Sequence, residues 1–175
     1  MKKPIRYYTQ AAVLVALCIV VRRFMAPQHM GGLNLGGLPI VLAGFTLGPA
    51  GGALVGGVSD IVGVLLVPAS SHGYSFLFTI TAALTGAIPP GVLMLFKKHE
   101  QEQWWAIGCA VAVGMLITKV WLVPCFMNLV YGTSVSAEVI RAIMTQAWHI
   151  PLYVFLTVPI LKAYRTTTRL KEATA

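Results

Sequence analysis

The chain has 175 residues, of which 57% are hydrophobic and only 10% charged, with a mean hydropathy of +0.78. A soluble domain carries about 25% charged residues, so this composition excludes an ordinary water-soluble fold and predicts a membrane protein. The formal net charge of +8 does not mark a nucleic-acid binder, because the basic residues flank apolar runs instead of interleaving with a polar surface.

Six apolar spans follow in order, predicting an all-α, six-helix transmembrane bundle that forms a single domain over residues 1–175. The first runs from about Thr9 to Met25, after Lys2, Lys3 and Arg6. Arg22 and Arg23 stand where a signal peptide would have its small-residue cleavage site, so the span is expected to be retained. Ala12 and Ala16 form an Ala-x-x-x-Ala step on one helix face, and spacing alone favours internal packing for it. The second span, Leu35–Leu47, is too short to cross as a straight lipid-facing helix, since a crossing takes roughly 20 residues. It must therefore be broken or sheltered by its neighbours. The third, Gly51–Val67, is glycine-rich and carries Asp60, a lone acid at membrane depth. Gly48, Gly52 and Gly56 are expected to let helices approach closely inside the bundle. The fourth span covers Tyr74–Phe96, the fifth Trp104–Tyr131 and the sixth about Ala137–Tyr164.

Charge sets the orientation. Lys2, Lys3, Arg6, Lys97, Lys98, Lys162, Arg165, Arg169 and Lys171 all fall on one side of a six-crossing topology. The positive-inside rule makes that side the cytoplasm, so both termini are cytoplasmic in a multi-pass protein of the cell membrane. Cys18, Cys109 and Cys125 lie singly in apolar runs and read as small core thiols.

Four basic residues remain: Arg22, Arg23, Lys119 and Arg141. The same outer half holds His29, Asn34, Ser70, Ser71, His72, Tyr74, Phe76, Trp121, Asn128, Gln146, Trp148 and His149. Guanidinium groups pair with carboxylates, rings stack and amides fix orientation, so this grouping suits a flat, polar, anionic small molecule in an outward-facing cavity. Plainer readings stand beside it. Arg22, Arg23 and Arg141 can snorkel to headgroups. Trp121 and Trp148 can be interfacial anchors. Lys119 can form a structural pair with Asp60, and Asp60 can serve helix packing. No nucleophile–base set, metal-ligand spacing, cofactor motif or nucleotide-binding loop is present. Any uphill transport therefore draws its energy from another subunit.

Read in order, LGGLPIVLAGFTLGPAGGALVGGVSDIVGVLLVP (Leu35–Pro68), IVVRRF (Ile19–Phe24), FTITAAL (Phe78–Leu84), VWL (Val120–Leu122), LVYG (Leu129–Gly132) and Arg141 resemble the substrate-binding (S) components of energy-coupling factor transporters, most closely the folate family. The resemblance implies a vitamin-binding membrane subunit without catalytic activity, working with a transmembrane coupling protein and two cytoplasmic ATPases. It places the family's span-one arginine at Arg23. It also implies that Ala12 and Ala16 meet the coupling protein, and that the subunit topples in the bilayer to release its substrate. The segment Pro68-Ala69-Ser70-Ser71-His72-Gly73-Tyr74-Ser75-Phe76 lacks the family's Pro-Thr-Gly loop and second proline, and Pro124–Asn128 looks inserted in span five. These departures leave the vitamin open between folate and another such as pantothenate. Competing classes are an integral membrane enzyme acting on a lipid and a small structural membrane protein.

Overall fold

The computed structural model describes residues 5–24, 35–66, 75–97, 99–100 and 103–173. These residues form six apolar helical segments: α1 Ile5–Phe24, α2 Leu38–Leu47, α3 Pro49–Leu66, α4 Phe76–Met94, α5 Trp104–Tyr131 and α6 Val135–Ala173. Five are long and apolar enough to cross a bilayer, and α2 is the short one. Among the described residues there is no strand.

The short α2 is sheltered, as its length requires. Pro39 through Gly44 are buried in unbroken succession, so its backbone does not face lipid. Tyr153 of α6 closes its N-terminus by accepting a hydrogen bond from Gly37 N–H at 3.1 Å. That bond satisfies one of the orphan donors every helix start leaves open. The Cys18 thiol of α1 donates to Gly36 O at 3.0 Å, tying the same corner to the first helix.

Glycines draw α2, α3 and α4 together. A Cβ on Gly52 would meet Gly86 O at 2.2 Å and Gly44 Cα at 2.6 Å; one on Gly56 would meet Ala82 O at 2.2 Å. The helices touch through their backbones, which dispersion and close fit can stabilise where lipid removes the hydrophobic drive. Gly52 and Gly56 pack as expected. Gly48 does not: it has φ +82° and nothing within 4 Å of a Cβ, so it forms the turn between α2 and α3. Gly44 and Gly86 complete the close contact instead.

Span five is one helix of uneven winding. Leu116–Leu122 is a π-helical stretch between α-helical Trp104–Met115 and Val123–Tyr131. Val123 N–H donates to Thr118 O, five residues back. Pro124 explains the wide turn, because it has no N–H and its ring crowds the carbonyl four residues earlier. Gly132, in the left-handed conformation, ends the helix.

The exterior is apolar: Leu65, Leu95, Phe155 and Leu129 are all largely exposed, a surface suited to hydrocarbon and not to water. The interior holds threonines. Thr81, Thr85 and Thr118 return their hydroxyls to carbonyls one turn back, so burial leaves them satisfied.

Candidate functional site

An ionic cluster lies at the end of the bundle away from the start of α1 and the end of α6. Arg22, in the last turn of α1, places Nη1 3.0 Å from Asp60 Oδ1 on α3. Thr79, in the first turn of α4, donates to Asp60 Oδ2 at 2.8 Å. One carboxylate thus joins three helices. Its side chain is 14% exposed, against 34% for Arg22, so the pair is partly screened from solvent. Lys119, on the π-helical stretch of α5, is partly buried, and Arg22 and Asp60 are the principal charges acting on it. Two basic side chains and one carboxylate thus share this locus. A wide turn that carries an intramembrane lysine has the form of a π-bulge, a feature concentrated at functional sites.

Arg22 therefore turns inward to an acid instead of snorkelling, and Asp60 pairs with Arg22 where Lys119 had been the alternative partner. Lys119 supplies the second cation of the cluster. Thr79 and Tyr153 bear on the same region and were not singled out from sequence, and Cys18, read as a core thiol, is buried beside Gly36. A threonine or cysteine in an apolar run gives no signal, although Tyr153 lies one turn from His149 on one face of α6. His149 is buried, with Nδ1 2.7 Å from Thr145 O. Among the described residues, Gln146 Oε1 is buried with no hydrogen-bond partner.

Other predicted site residues fall elsewhere. Phe76, Trp121 and Trp148 are 65%, 69% and 80% exposed, positions that fit lipid-interface anchors. Arg141 is exposed. Asn128 Nδ2 donates to Thr133 O at 2.6 Å and so holds the α5–α6 turn. Asn34, Ser70, Ser71, His72 and Tyr74, with His29, lie outside the described residues, as does the side chain of Arg23. Among the described residues no group of His, Cys, Asp or Glu could hold a metal ion.

Ala12 and Ala16, in the middle of α1, are exposed, not buried in a helix interface as spacing alone favoured. Beside them a groove of about 300 Å³ runs between α1, α2 and α6, lined by Val13, Leu14, Leu42, Ile160, Leu161 and Tyr164.

Apolar crossing helices around a charged, partly desolvated cluster define a polytopic α-helical membrane protein with a polar site inside its bundle. Residues 6–161 match the family described as ECF transporter, substrate-specific component. The folate transporter FolT of Clostridium novyi (strain NT) is 24% identical over 172 residues, covering 97% of this chain and 94% of that protein. A crystal structure of FolT bound with folic acid superposes with a TM-score of 0.73 at 26% identity, covering 90% of this chain and 94% of that one. The chain belongs to the substrate-specific components of ECF transporters. It is a transporter component and not an enzyme, which sets aside the lipid-modifying alternative.

Proposed function

We propose that this chain is the folate-binding S component of an ECF importer. It captures folate outside the cell and delivers it through a transmembrane coupling protein driven by two cytoplasmic ATPases. The observation that carries the reading is the Arg22–Asp60–Lys119 cluster, two basic side chains and one carboxylate held inside an apolar bundle, in a chain of the same fold as a protein crystallised with folic acid. The charge suits a carboxylate-bearing vitamin, and partial desolvation strengthens each contact.

In this reading all 175 residues form one transmembrane domain with both termini in the cytoplasm. Arg22 and Lys119 are the inner contacts. Arg23, Asn34, Ser70, Ser71, His72 and Tyr74 are further substrate contacts in this reading. Phe76, Trp121 and Trp148 serve as lipid-interface anchors and Asn128 holds the α5–α6 turn, so they make no contact with the vitamin in this reading. Ala12 and Ala16 form the docking face for the coupling protein. Two features support that role: both alanines are exposed, and the apolar groove beside them continues the face.

The test is titration of the purified chain in lipid nanodiscs with folic acid, pantothenate and a wider vitamin panel. Saturable one-to-one binding of folic acid, without turnover, supports the reading. Selective binding of pantothenate, with none of folic acid, would replace it.

A further inference from the structure

The groove between α1, α2 and α6 has walls of hydrocarbon. Thr9 Oγ1 donates back to Ile5 O at 3.1 Å and Thr46 Oγ1 to Leu42 O at 2.8 Å, so both hydroxyls bond within their own helices. Gln10 Nε2 lies 3.5 Å from the Tyr164 hydroxyl and joins two of the walls near the start of α1. Deeper in, Val13, Leu14, Leu42 and Leu161 are wholly apolar. From Thr9 to Leu14 the helix rises about 7.5 Å, so 300 Å³ gives a cross-section of about 40 Å². That is about half that of a helix about 10 Å across, and it suits one extended hydrocarbon chain. Left empty, such a groove forfeits the dispersion contacts of its lining.

Positive charge stands at the mouth. Arg6 lies one turn before Gln10 on the same face of α1, and Arg165 one turn beyond Leu161 on α6. Arg6 is exposed and Arg165 half-buried. From Arg6 to Leu14 the helix rises about 12 Å, most of the about 15 Å of hydrocarbon in one leaflet. The arginines therefore sit at headgroup depth above an apolar slot, and a guanidinium matches a phosphate by paired N–H donors. We propose that the groove binds one anionic phospholipid, its phosphate between Arg6 and Arg165 and one acyl chain lying past Val13 and Leu14 toward Leu42 and Leu161. The lipid covers the flank of Ala12 and Ala16 when the chain is on its own. This site is independent of which vitamin the bundle takes.

The experiment photocrosslinks the full chain in phosphatidylcholine nanodiscs doped with a trace of phosphatidylglycerol or phosphatidylcholine that carries a diazirine midway along one acyl chain. Adducts are mapped by mass spectrometry. Phosphatidylglycerol adducts should concentrate at Val13, Leu14, Ile160 and Leu161, and not at Leu129 or Phe155, which are exposed on other faces. An arginine near the membrane surface favours an anionic lipid by about fivefold, so two should favour phosphatidylglycerol over phosphatidylcholine in the groove by about 25-fold. Arg6→Gln combined with Arg165→Gln should bring the two lipids to equal yield at unchanged melting temperature. Adducts spread evenly over the groove, Leu129 and Phe155 would show ordinary solvation by lipid and overturn the site. Equal groove yields from the two lipids in the wild type would overturn the pairing with phosphate. No groove adduct from either lipid would leave the groove to the coupling protein and refute the proposal. If the double variant does not fold, the comparison of the two lipids in the wild type decides. Failure to bind folic acid would sink the folate reading and leave this site standing.

Discussion

Replacing Gly86 with Ala asks whether the α3–α4 backbone contact holds the bundle. The new Cβ would stand 2.2 Å from Gly52 O, 2.4 Å from Gly52 C and 2.9 Å from Gly52 Cα. Ordinary contact begins at 3.4 Å, so the helices must part by about 1.2 Å, the difference between 3.4 and 2.2 Å. The obstacle is backbone on a neighbouring helix and not the end of a flexible side chain. The cost should therefore reach the upper end of the overpacking range, about 3 kcal/mol, against a helix-propensity gain of at most about 1 kcal/mol. At roughly 2–4 °C per kcal/mol, the net loss of about 2 kcal/mol lowers the melting temperature by about 4–8 °C. Separating α3 from α4 also stretches the 2.8 Å Thr79–Asp60 bond, so folic acid affinity should fall with stability. The assay is thermal unfolding in one detergent, with Gly91→Ala as control, since a Cβ there meets nothing within 4 Å. Gly91→Ala should melt at or slightly above the wild type. If Gly86→Ala melts with the control, the backbone contact does not stabilise the bundle and the reasoning fails.

Two further outcomes concern partner and orientation. Leu at both Ala12 and Ala16 should abolish folate uptake in cells that supply the coupling protein and ATPases, while binding by the purified chain is kept; a parallel loss of binding would refute the docking role. Single cysteines in a cysteine-free background, at Ser71 and at Lys2, should react with an impermeant thiol reagent from opposite faces of the membrane. Labelling of both from one side would overturn the topology.

The spans were legible because a bilayer leaves few solutions. Trp104–Tyr131 was bounded to the residue, and the shelter of α2 followed from its length. α6 runs on to Ala173, past the apolar stretch ending near Tyr164, because a helix can continue through polar turns beyond its apolar span. The importance of Asp60 was legible from its isolation. Its partner was not: whether Arg22 or Lys119 meets it depends on the relative rotation of α1, α3 and α5, which hydropathy does not encode. Pro124 was visible as an interruption in span five. The π-helical winding it imposes, and the place that winding gives Lys119, needed the three-dimensional structure. Gly48 and Gly52 look alike in sequence and differ in role, because only a backbone angle separates a turn glycine from a packing one. The tryptophans were ambiguous for a related reason, since a ring near the bilayer surface can face a cavity or the lipid.

Calorimetric titration of folic acid into the wild type and into Lys119→Met, both in nanodiscs and both checked for unchanged melting, goes most directly to the claim that a cation within the bundle grips the vitamin. One folic acid should bind per wild-type chain, and the methionine variant should lose roughly 1.5–3 kcal/mol of binding free energy, the worth of a charge-assisted bond. Identical affinities would show that the intramembrane lysine takes no part in holding the ligand.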